Sequence, residues 1–421
     1  MLDIKFIIEN KDLIAEAARK KKIKVDLKRL IEVDDERRKV LVSVEEKRRI
    51  QNEYNVKIPQ EKNSTLKLKF IDEMKVVKEE LQKEEEKLKG IMNEWHSIML
   101  SVPNIADPSV PEGKAEEDNV EIKKWGDTPQ FDFPVKDHIA LMENLGMVDF
   151  ERGVKTHGFR GYFLTGEGAK LSWAIWNHAR EFFSGEGVEE VITPVIVRKE
   201  HFYGTGHLPN DAEDLFKTQD DDYLSGTAEV PMMAYYSGET LRKSDLPKKF
   251  LAFSPCYRRE AGSYSKDIKG LIRVHEFYKF EQLVLCEARH EESERLHEEL
   301  TVRTEEFLES LGLAYRRSVI CTGELSASKV KQYEIEMWLP SQNGYREIAS
   351  SSYYHDFQTR RFGIKYDDNG QKRFAHSLNN TAIPTPRILV GIVENYQQSD
   401  GSVAVPEVLR KYMNGKEQIS K

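Results

Sequence analysis

The segment FSPCYRREAGSYSKDIKGLIRVHEFYKFE, residues 253–281, carries the pattern that decides the fold. It predicts two strands joined by a polar, glycine-containing loop. Alternate residues of a strand face the same side, so Arg258 and Glu260 are expected to share a face. The same period places three residues of the returning strand on one face: Arg273, Phe277 and Glu281. Burying these charges together is costly unless a polar ligand binds them.

A face of this composition has the chemistry of a nucleotide-binding surface. Arginine binds phosphate oxygens in pairs, an aromatic ring stacks on a base, and a carboxylate accepts hydrogen bonds from an ammonium group. The alternative is a solvated hairpin face without a ligand, and the segment taken alone favours that alternative. The rest of the chain decides between the two interpretations.

Three ordered segments resemble the motifs of class II aminoacyl-tRNA synthetases. They are GVEEVITPVIVR at 187–198 for motif 1, the hairpin at 253–281 for motif 2, and NNTAIPTPRILVGIVENYQ at 379–397 for motif 3. Pro194 stands at the motif 1 proline, Arg258-Arg259-Glu260 at the Arg-x-Glu core of motif 2, and Arg387 at the motif 3 arginine. Further matches narrow the resemblance to the seryl-tRNA synthetase family, over nearly the whole chain: LSGTAEVP at 224–231, EIASS at 347–351 and DFQTRR at 356–361.

Composition divides the chain at a proline-rich segment, residues 101–113. With the resemblance, residues 1–104 are expected to form a tRNA-binding domain with a helical arm at about 27–100, and residues 105–421 the catalytic domain. The second half of the arm has apolar residues at coiled-coil spacing, broken only by Glu84: Met74, Val77, Leu81, Leu88, Ile91, Trp95 and Ile98. A proline and turn formers at 55–65 predict a reversal, and therefore an antiparallel two-helix coiled-coil arm.

The second domain mixes helical and strand-like patterns. A helix face is predicted over 171–182, a strand over 188–197, another helix within 284–316 and further strands up to Phe357. The last helix is expected to begin soon after Pro386. Hairpin-connected strands with long helices between them predict an α+β fold on an antiparallel sheet, which the class II resemblance also implies.

The resemblance implies a serine–tRNA ligase that uses ATP. Such an enzyme converts L-serine and ATP to seryl-adenylate and pyrophosphate, then transfers serine to the 3′ end of tRNA(Ser), and the expectation extends to tRNA(Sec). One alternative is a paralogue that activates serine or a related small amino acid for a non-tRNA acceptor. Another is a non-catalytic RNA-binding relative. Paralogues of the first kind tend to lack the arm, and relatives of the second kind should have lost the motif arginines.

The resemblance also assigns roles in ATP binding. Arg258 is expected at the α-phosphate and the substrate carboxylate, Arg387 at the γ-phosphate, and Arg273 at the bent ATP tail. Adenine is expected to stack on Phe277, although core packing would explain that ring equally well. The full implied set is Arg258, Arg259, Glu260, Arg273, Val274, Phe277, Glu347, Ile348, Ala349, Ser350 and Arg387.

The implied serine site consists of Thr227, Ala228, Glu229, Arg258, Glu281 and Thr381. Glu281 is expected to pair with the α-ammonium group, and Thr381, or Glu229 through its neighbours, to hold the hydroxyl. Mg²⁺ is the expected metal, because Glu347 and Ser350 match the positions of its oxygen ligands. With a single carboxylate, phosphate oxygens and water would complete the coordination.

Four residues depart from the family pattern. Tyr353 and Tyr354 stand where smaller side chains are usual, which would reshape a wall near the active site. Pro384 and Pro386 make the approach to motif 3 unusually proline-rich. None of these changes removes a matched ligand-binding residue.

Composition limits the remaining possibilities. A net charge of −8 argues against indiscriminate nucleic-acid coating. Fifteen basic residues against nine acidic ones between Arg19 and Lys62, including the run at 47–49, form either a solvated face or a phosphate-binding surface. No apolar run is long enough for a membrane span, and neither the cysteines nor the histidines show zinc-type spacing. A cytoplasmic protein without structural zinc or membrane contact is expected, and motif 1 implies a homodimer.

Overall fold

In the computed structural model, residues 1–262, 267 and 269–421 are described. They form two compact units: residues 2–103, and residues 104–421 together with Met1. The first unit consists of helices α1 (Ile4–Glu9), α2 (Lys11–Lys20), α3 (Leu27–Gln60) and α4 (Ser64–Ser101). Within the described ranges, no helix combines the length and apolarity needed to cross a bilayer.

Helices α3 and α4 form the predicted antiparallel hairpin. Three polar contacts cross between them in opposite chain directions: Arg29 to Glu94 at 2.6 Å, Lys47 to Glu84 at 3.3 Å and Tyr54 to Glu73 at 2.8 Å. The predicted apolar seam of α4 is confirmed, because Leu81 and Ile91 are buried and the other seam residues are half-buried. Glu84, which interrupts the seam, is neutralised by Lys47 from the facing helix. The reversal lies at 61–63, inside the predicted range.

The second unit is an α+β domain, as predicted. Its helices are α5 (His138–Asn144), α6 (Phe150–His157), α7 (Gly166–Phe183), α8 (Lys199–Thr205), α9 (Glu229–Tyr235), α10 (His290–Ser310), α11 (Phe357–Phe362), α12 (Arg387–Asn395) and α13 (Glu407–Arg410). Its strands are β1 (Val120–Trp125), β2 (Val148–Asp149), β3 (Phe163–Leu164), β4 (Val188–Ile192), β5 (Ile196–Val197), β6 (Tyr223–Leu224), β7 (Thr240–Arg242), β8 (Lys248–Tyr257), β9 (Glu276–Cys286), β10 (Tyr315–Val319), β11 (Lys331–Leu339), β12 (Gly344–His355), β13 (Lys365–Asp368), β14 (Gln371–Phe374), β15 (His376–Thr385), β16 (Val403–Ala404) and β17 (Gln418–Ile419).

Eight strands form one sheet in the order β1-β10-β11-β12-β15-β9-β8-β4. All neighbours in it are antiparallel except the edge pair of β4 and β8. Helix α10 covers one face, where the Asn380 amide donates to the Leu300 carbonyl at 2.8 Å. Because adjacent residues of a strand face opposite sides, Glu281 and Thr381 point to the other face.

The structure corrects two predictions about strand extent. Strand β8 ends at Tyr257 and β9 begins at Glu276, so Arg258, Glu260 and Arg273 lie outside the strands, and the strand-period argument for them was wrong. Part of the connecting loop, 263–266 and 268, lies outside the described residues. The strand predicted over 188–197 is broken into β4 and β5, because Pro194 cannot donate a ladder hydrogen bond.

Replacing Leu81 with aspartate should disorder the hairpin. A buried seam position would then hold an unpaired charge, at a cost of at least about 2 kcal/mol. Far-UV circular dichroism should show early loss of helix on heating, whereas the matched variant Gln82→Asp, which places the same acid at an exposed position, should melt like the parent. Equal melting of the two variants would contradict the seam.

Candidate active site

The open face of the sheet contains a buried carboxylate, Glu281, which is 1% exposed. Lys279, two residues earlier on the same strand face, forms an ion pair with it. The Lys279 Nζ donates to Thr227 Oγ1 at 2.9 Å, and that hydroxyl donates to Glu281 Oε2 at 3.3 Å. Burial raises the pKa of Glu281, while Lys279 opposes the shift. These three side chains therefore form a closed ring of polar contacts in the interior of the domain.

Three more residues of the predicted serine site adjoin this ring. Thr381 on β15 pairs in register with Glu281, so both side chains lie on the same face. Glu229 begins α9 and accepts a hydrogen bond from Gln358 Nε2 at 2.6 Å. Ala228, fully buried before that helix, has no polar side chain and contributes only its backbone. The arrangement is a buried cluster rich in acceptor groups, which is here called the Glu281 pocket.

Of the two tyrosines that depart from the family pattern, only Tyr354 borders this pocket. Its hydroxyl donates to Asn379 Oδ1 at 2.8 Å, and burial together with the charges of Glu229 and Glu281 raises its pKa. Tyr353 faces the side of the sheet covered by α10, where its hydroxyl donates to Asp107 Oδ2 at 2.8 Å. The expected change in the wall is thus confined to Tyr354.

Three arginines approach the open face from different elements. Arg258 donates to the Gly226 carbonyl at 3.3 Å and lies 5.4 Å above the Phe277 ring. Arg273 pairs with Glu260 at 3.0 Å. Arg387, the first residue of α12 as predicted, donates to the carbonyls of Ile272 and Glu347 at 2.9 and 2.8 Å.

The positive charges act on one another. Desolvation, together with repulsion by Arg273 and Arg258, lowers the pKa of Arg387, although Glu347 opposes the shift. A bound anion would relieve this repulsion, and guanidinium groups bind phosphate oxygens in pairs. The face is therefore chemically suited to a phosphate chain.

Four members of the predicted ATP set do not direct their side chains to this face. Val274, Ile348 and Ala349 are buried in the hydrophobic core, so only their backbone groups can line a site. The Arg259 side chain is exposed, while its backbone nitrogen donates to the Asp214 carbonyl at 2.9 Å.

A β-bulge brings the two predicted metal ligands together. Glu347 pairs with Glu336 and Ser350 pairs with Glu334, and the irregularity at 348 places Glu347 and Ser350 on one face despite their odd spacing. Burial and the charge of Glu347 raise the pKa of Glu334 to about 8. A second carboxylate, Glu334, therefore lies close enough to Glu347 to feel its charge, whereas the sequence predicted Glu347 alone.

Sequence reasoning missed Lys279, Glu334 and the amides Gln358 and Asn379. Lys279 had a usable signal, because it lies between Phe277 and Glu281 at strand period. Glu334 had none, since the bulge that puts it on the same face as Glu347 is invisible in the residue pattern. Apart from Arg259 and the three core residues, the predicted side chains lie at or near the face, and their roles stay predictions.

Comparison with known proteins gives the same organisation. A family model described as the seryl-tRNA synthetase N-terminal domain matches residues 1–106, and one for the tRNA synthetase class II core domain (G, H, P, S and T) matches 215–396. The serine–tRNA ligase of Deinococcus radiodurans is 42% identical over 99% of this chain and 98% of its own. The seryl-tRNA synthetase of Pyrococcus horikoshii, solved with ATP, superimposes with a TM-score of 0.87 at 34% identity, over 100% and 99% of the two chains. The cytoplasmic serine–tRNA ligase of Naegleria fowleri, solved with AMP, gives 0.85 at 29% identity over the same shares.

Removing the amine of Lys279 should destabilise the domain in a pH-dependent way. In Lys279→Gln the buried Glu281 keeps Glu229 as a neighbour and loses its closest cation, at a cost of about 3 kcal/mol at neutral pH. The folded-state pKa of Glu281 then rises further, so the loss should shrink as the pH falls towards the unfolded-state pKa of about 4.3, below which the carboxyl is protonated in both the folded and the unfolded state.

Urea unfolding at pH 5 and pH 7.5 measures this difference, with the exposed Lys372→Gln as the matched control. A stability loss that is the same at both pH values would show that Lys279 does not hold the Glu281 charge.

Proposed function

We infer that this chain, which belongs to the seryl-tRNA synthetase family, activates L-serine with ATP and transfers the serine to tRNA(Ser). The observation that carries this conclusion is a cluster of three arginines whose member Arg258 also acts on the charge of the buried carboxylate Glu281. Phosphate and ammonium are the two charged groups that such a face needs, and seryl-adenylate contains both. The full-length likeness to serine–tRNA ligases supports the same substrates, and it gives no support to a paralogue acting on a non-tRNA acceptor.

Activation requires alignment of two anions rather than an enzyme nucleophile. A serine carboxylate oxygen attacks the α-phosphorus, the bond to the bridging oxygen breaks, and pyrophosphate leaves. We assign Arg258 to the carboxylate and the α-phosphate, Arg273 to the ATP tail and Arg387 to the γ-phosphate. Because guanidinium groups stay charged, they stabilise negative charge as it builds on the phosphate.

The adenine site is proposed at Phe277. The guanidinium of Arg258 already lies over this ring, so the stacked base and the reacting phosphate are held by adjoining groups. Glu260 is proposed to accept from the adenine amino group. It also accepts from Arg273, and so orients the arginine assigned to the ATP tail.

Serine is proposed to bind with its ammonium group at Glu281 and its hydroxyl between Thr381 and Glu229. An ammonium group compensates the buried charge that Lys279 neutralises only in part. Alanine would leave buried acceptors unsatisfied, and threonine needs room for an extra methyl group beside Tyr354.

Mg²⁺ is the proposed metal. Glu347 and Ser350 share a face with Glu334, which gives the hard oxygen donors that this ion prefers. Bound there, the ion would neutralise triphosphate charge. The raised pKa of Glu334 fits this assignment, because a nearby cation would relieve the crowding of the two carboxylates.

We also propose a two-fold homodimer that includes motif 1. Strand β4 is the edge of the main sheet, and Ile192 at its end is 82% exposed. Trp173 on α7 and Ile196 on β5 are each 61% exposed. Large apolar side chains at an open sheet edge favour a protein partner.

The hairpin of α3 and α4 is proposed as the tRNA-binding arm. The basic run at 47–49 needs reinterpretation, because Lys47 pairs with Glu80 and Glu84, and Arg48 with Glu85, across the hairpin. These side chains therefore hold α3 against α4 as well as offering positive charge.

We propose that the protein acts in the cytoplasm. Its three cysteines are free and buried, which is typical of proteins in a reducing compartment.

The activation half-reaction tests the proposal directly. ATP–pyrophosphate exchange, measured in parallel with serine, threonine, alanine and glycine, should be fastest with serine by at least about 100-fold over alanine. Arg387→Ala should lower serine-dependent exchange by at least about 100-fold, because one preorganised cation is lost from the phosphate site.

The matched control is Arg373→Ala, which removes an exposed arginine of β14 and should leave exchange unchanged. Exchange driven equally by all four amino acids would refute the serine assignment. Near-normal exchange in Arg387→Ala would refute the phosphate assignment.

Removing the arm should separate the two half-reactions. A variant with residues 27–100 replaced by a short flexible linker keeps the whole 104–421 unit, so its exchange activity should persist. Transfer to tRNA should collapse, because the phosphate contacts of the arm are lost. In the full chain, tRNA affinity should fall steeply with salt. Normal charging of tRNA by the shortened protein would leave the hairpin without an RNA-binding role.

A further inference from the structure

We propose that Asp107, His290 and Glu294 form a binding site for a divalent transition-metal cation, with Zn²⁺ as the best fit. The site lies on the side of the sheet that α10 covers, and the serine–tRNA ligase reaction makes no use of it. His290 Nε2 is 3.5 Å from both Asp107 Oδ2 and Glu294 Oε2, and the three atoms lie within 4.8 Å of one another.

These separations suit tetrahedral coordination. Zinc bonds of about 2.1 Å at the tetrahedral angle place neighbouring ligand atoms about 3.4 Å apart. The two distances from His290 already match that spacing. The Glu294 side chain is 45% exposed, so its carboxylate can move closer to that of Asp107 without a change in the backbone.

The backbone places two of the ligands on one side of a helix. His290 and Glu294 are four residues apart in the first turns of α10, and this spacing puts them next to each other. Asp107 comes from the segment that precedes the catalytic domain's first strand. Since its partner positions are nearly two hundred residues away, histidine and cysteine spacing alone could not reveal the site.

Asp107 is held in place before any cation binds. Its side chain is 4% exposed, and Oδ2 accepts from the Tyr353 hydroxyl at 2.8 Å. Its Oδ1 accepts from the backbone nitrogen and hydroxyl of Ser109 at 2.8 and 2.5 Å. Tyr353, a departure from the family pattern with no role in the serine pocket, thus orients a metal ligand.

The second ring nitrogen of His290 also has a defined partner. His290 Nδ1 lies 3.2 Å from His355 Nε2, and the His355 ring packs 4.7 Å from that of His376. A metal-bound histidine characteristically uses its other nitrogen in a hydrogen bond that fixes the ring. If Nδ1 donates to His355, then Nε2 presents a lone pair to two carboxylates, an arrangement that a shared cation stabilises.

The donor set selects the class of cation. One imidazole nitrogen and two carboxylate oxygens suit Zn²⁺ and its first-row neighbours, whereas Mg²⁺ and Ca²⁺ prefer oxygen alone. Three protein ligands leave a fourth position for water. The cation would tie the segment containing Asp107 to α10 and, through His355, to the end of β12.

Zinc titration of EDTA-treated protein by calorimetry tests the site. The parent chain should bind one equivalent that is absent in His290→Asn and in Glu294→Gln, both at side chains that are nearly half exposed and outside the core. His355→Asn, a residue type that tolerates the left-handed backbone found there (φ +49°), should weaken binding about 10- to 100-fold.

Two controls separate this site from others. His96→Asn removes an exposed histidine on α4 and should keep the equivalent, as should Glu347→Ala, which alters the proposed magnesium site. Zinc should also raise the melting temperature of the parent but not of His290→Asn. No zinc uptake by the parent, or unchanged uptake in His290→Asn, would overturn the proposal.

Discussion

The placement of one charge, the carboxylate of Glu281, constrains the whole active face. It lies in the middle of β9, almost fully buried, where an unpaired carboxylate would be costly. Lys279 forms an ion pair with this carboxylate and the Thr227 hydroxyl donates a hydrogen bond to it. The positive charge of Arg258 also stabilises the ionised form. The compensation is incomplete, since the pKa of Glu281 stays raised. A pocket that still favours added positive charge is what an amino-acid ammonium group requires.

The phosphate side of the face shows the opposite imbalance. Arg258 and Arg273 repel Arg387 and lower its pKa. Arg258 and Arg387 donate to backbone carbonyls, while Arg273 pairs with the carboxylate of Glu260. Serine and ATP carry complementary charges for the two halves. In the proposed binding mode, the substrates relieve electrostatic costs that the folded protein bears, and the same groups are preorganised for the transition state.

Much of this could be predicted from the sequence, and the failures have physical causes. Heptad spacing in α4 predicted the hairpin, because the apolar seam of a coiled coil is a local pattern that repeats along the helix, here broken only at Glu84. The motif residues lie at or near one face of the sheet, although the strand-period argument for Arg258 and Arg273 failed, since both lie in the loop beyond the strand ends. A β-bulge explains why Glu334 was missed. Glu334 and Glu347 share a face only because β12 contains one extra residue, and the two-residue period of a strand cannot locate such a residue.

The central claim is that the Glu281 pocket holds the ammonium group of serine while the arginines hold the phosphate. The most direct measurement is a crystal structure with a non-hydrolysable seryl-adenylate analogue. The ammonium nitrogen should lie within hydrogen-bonding distance of Glu281, with Arg258 at the phosphate and the adenine against Phe277. An analogue bound with its ammonium group away from Glu281, or with its phosphate clear of the arginines, would contradict the claim.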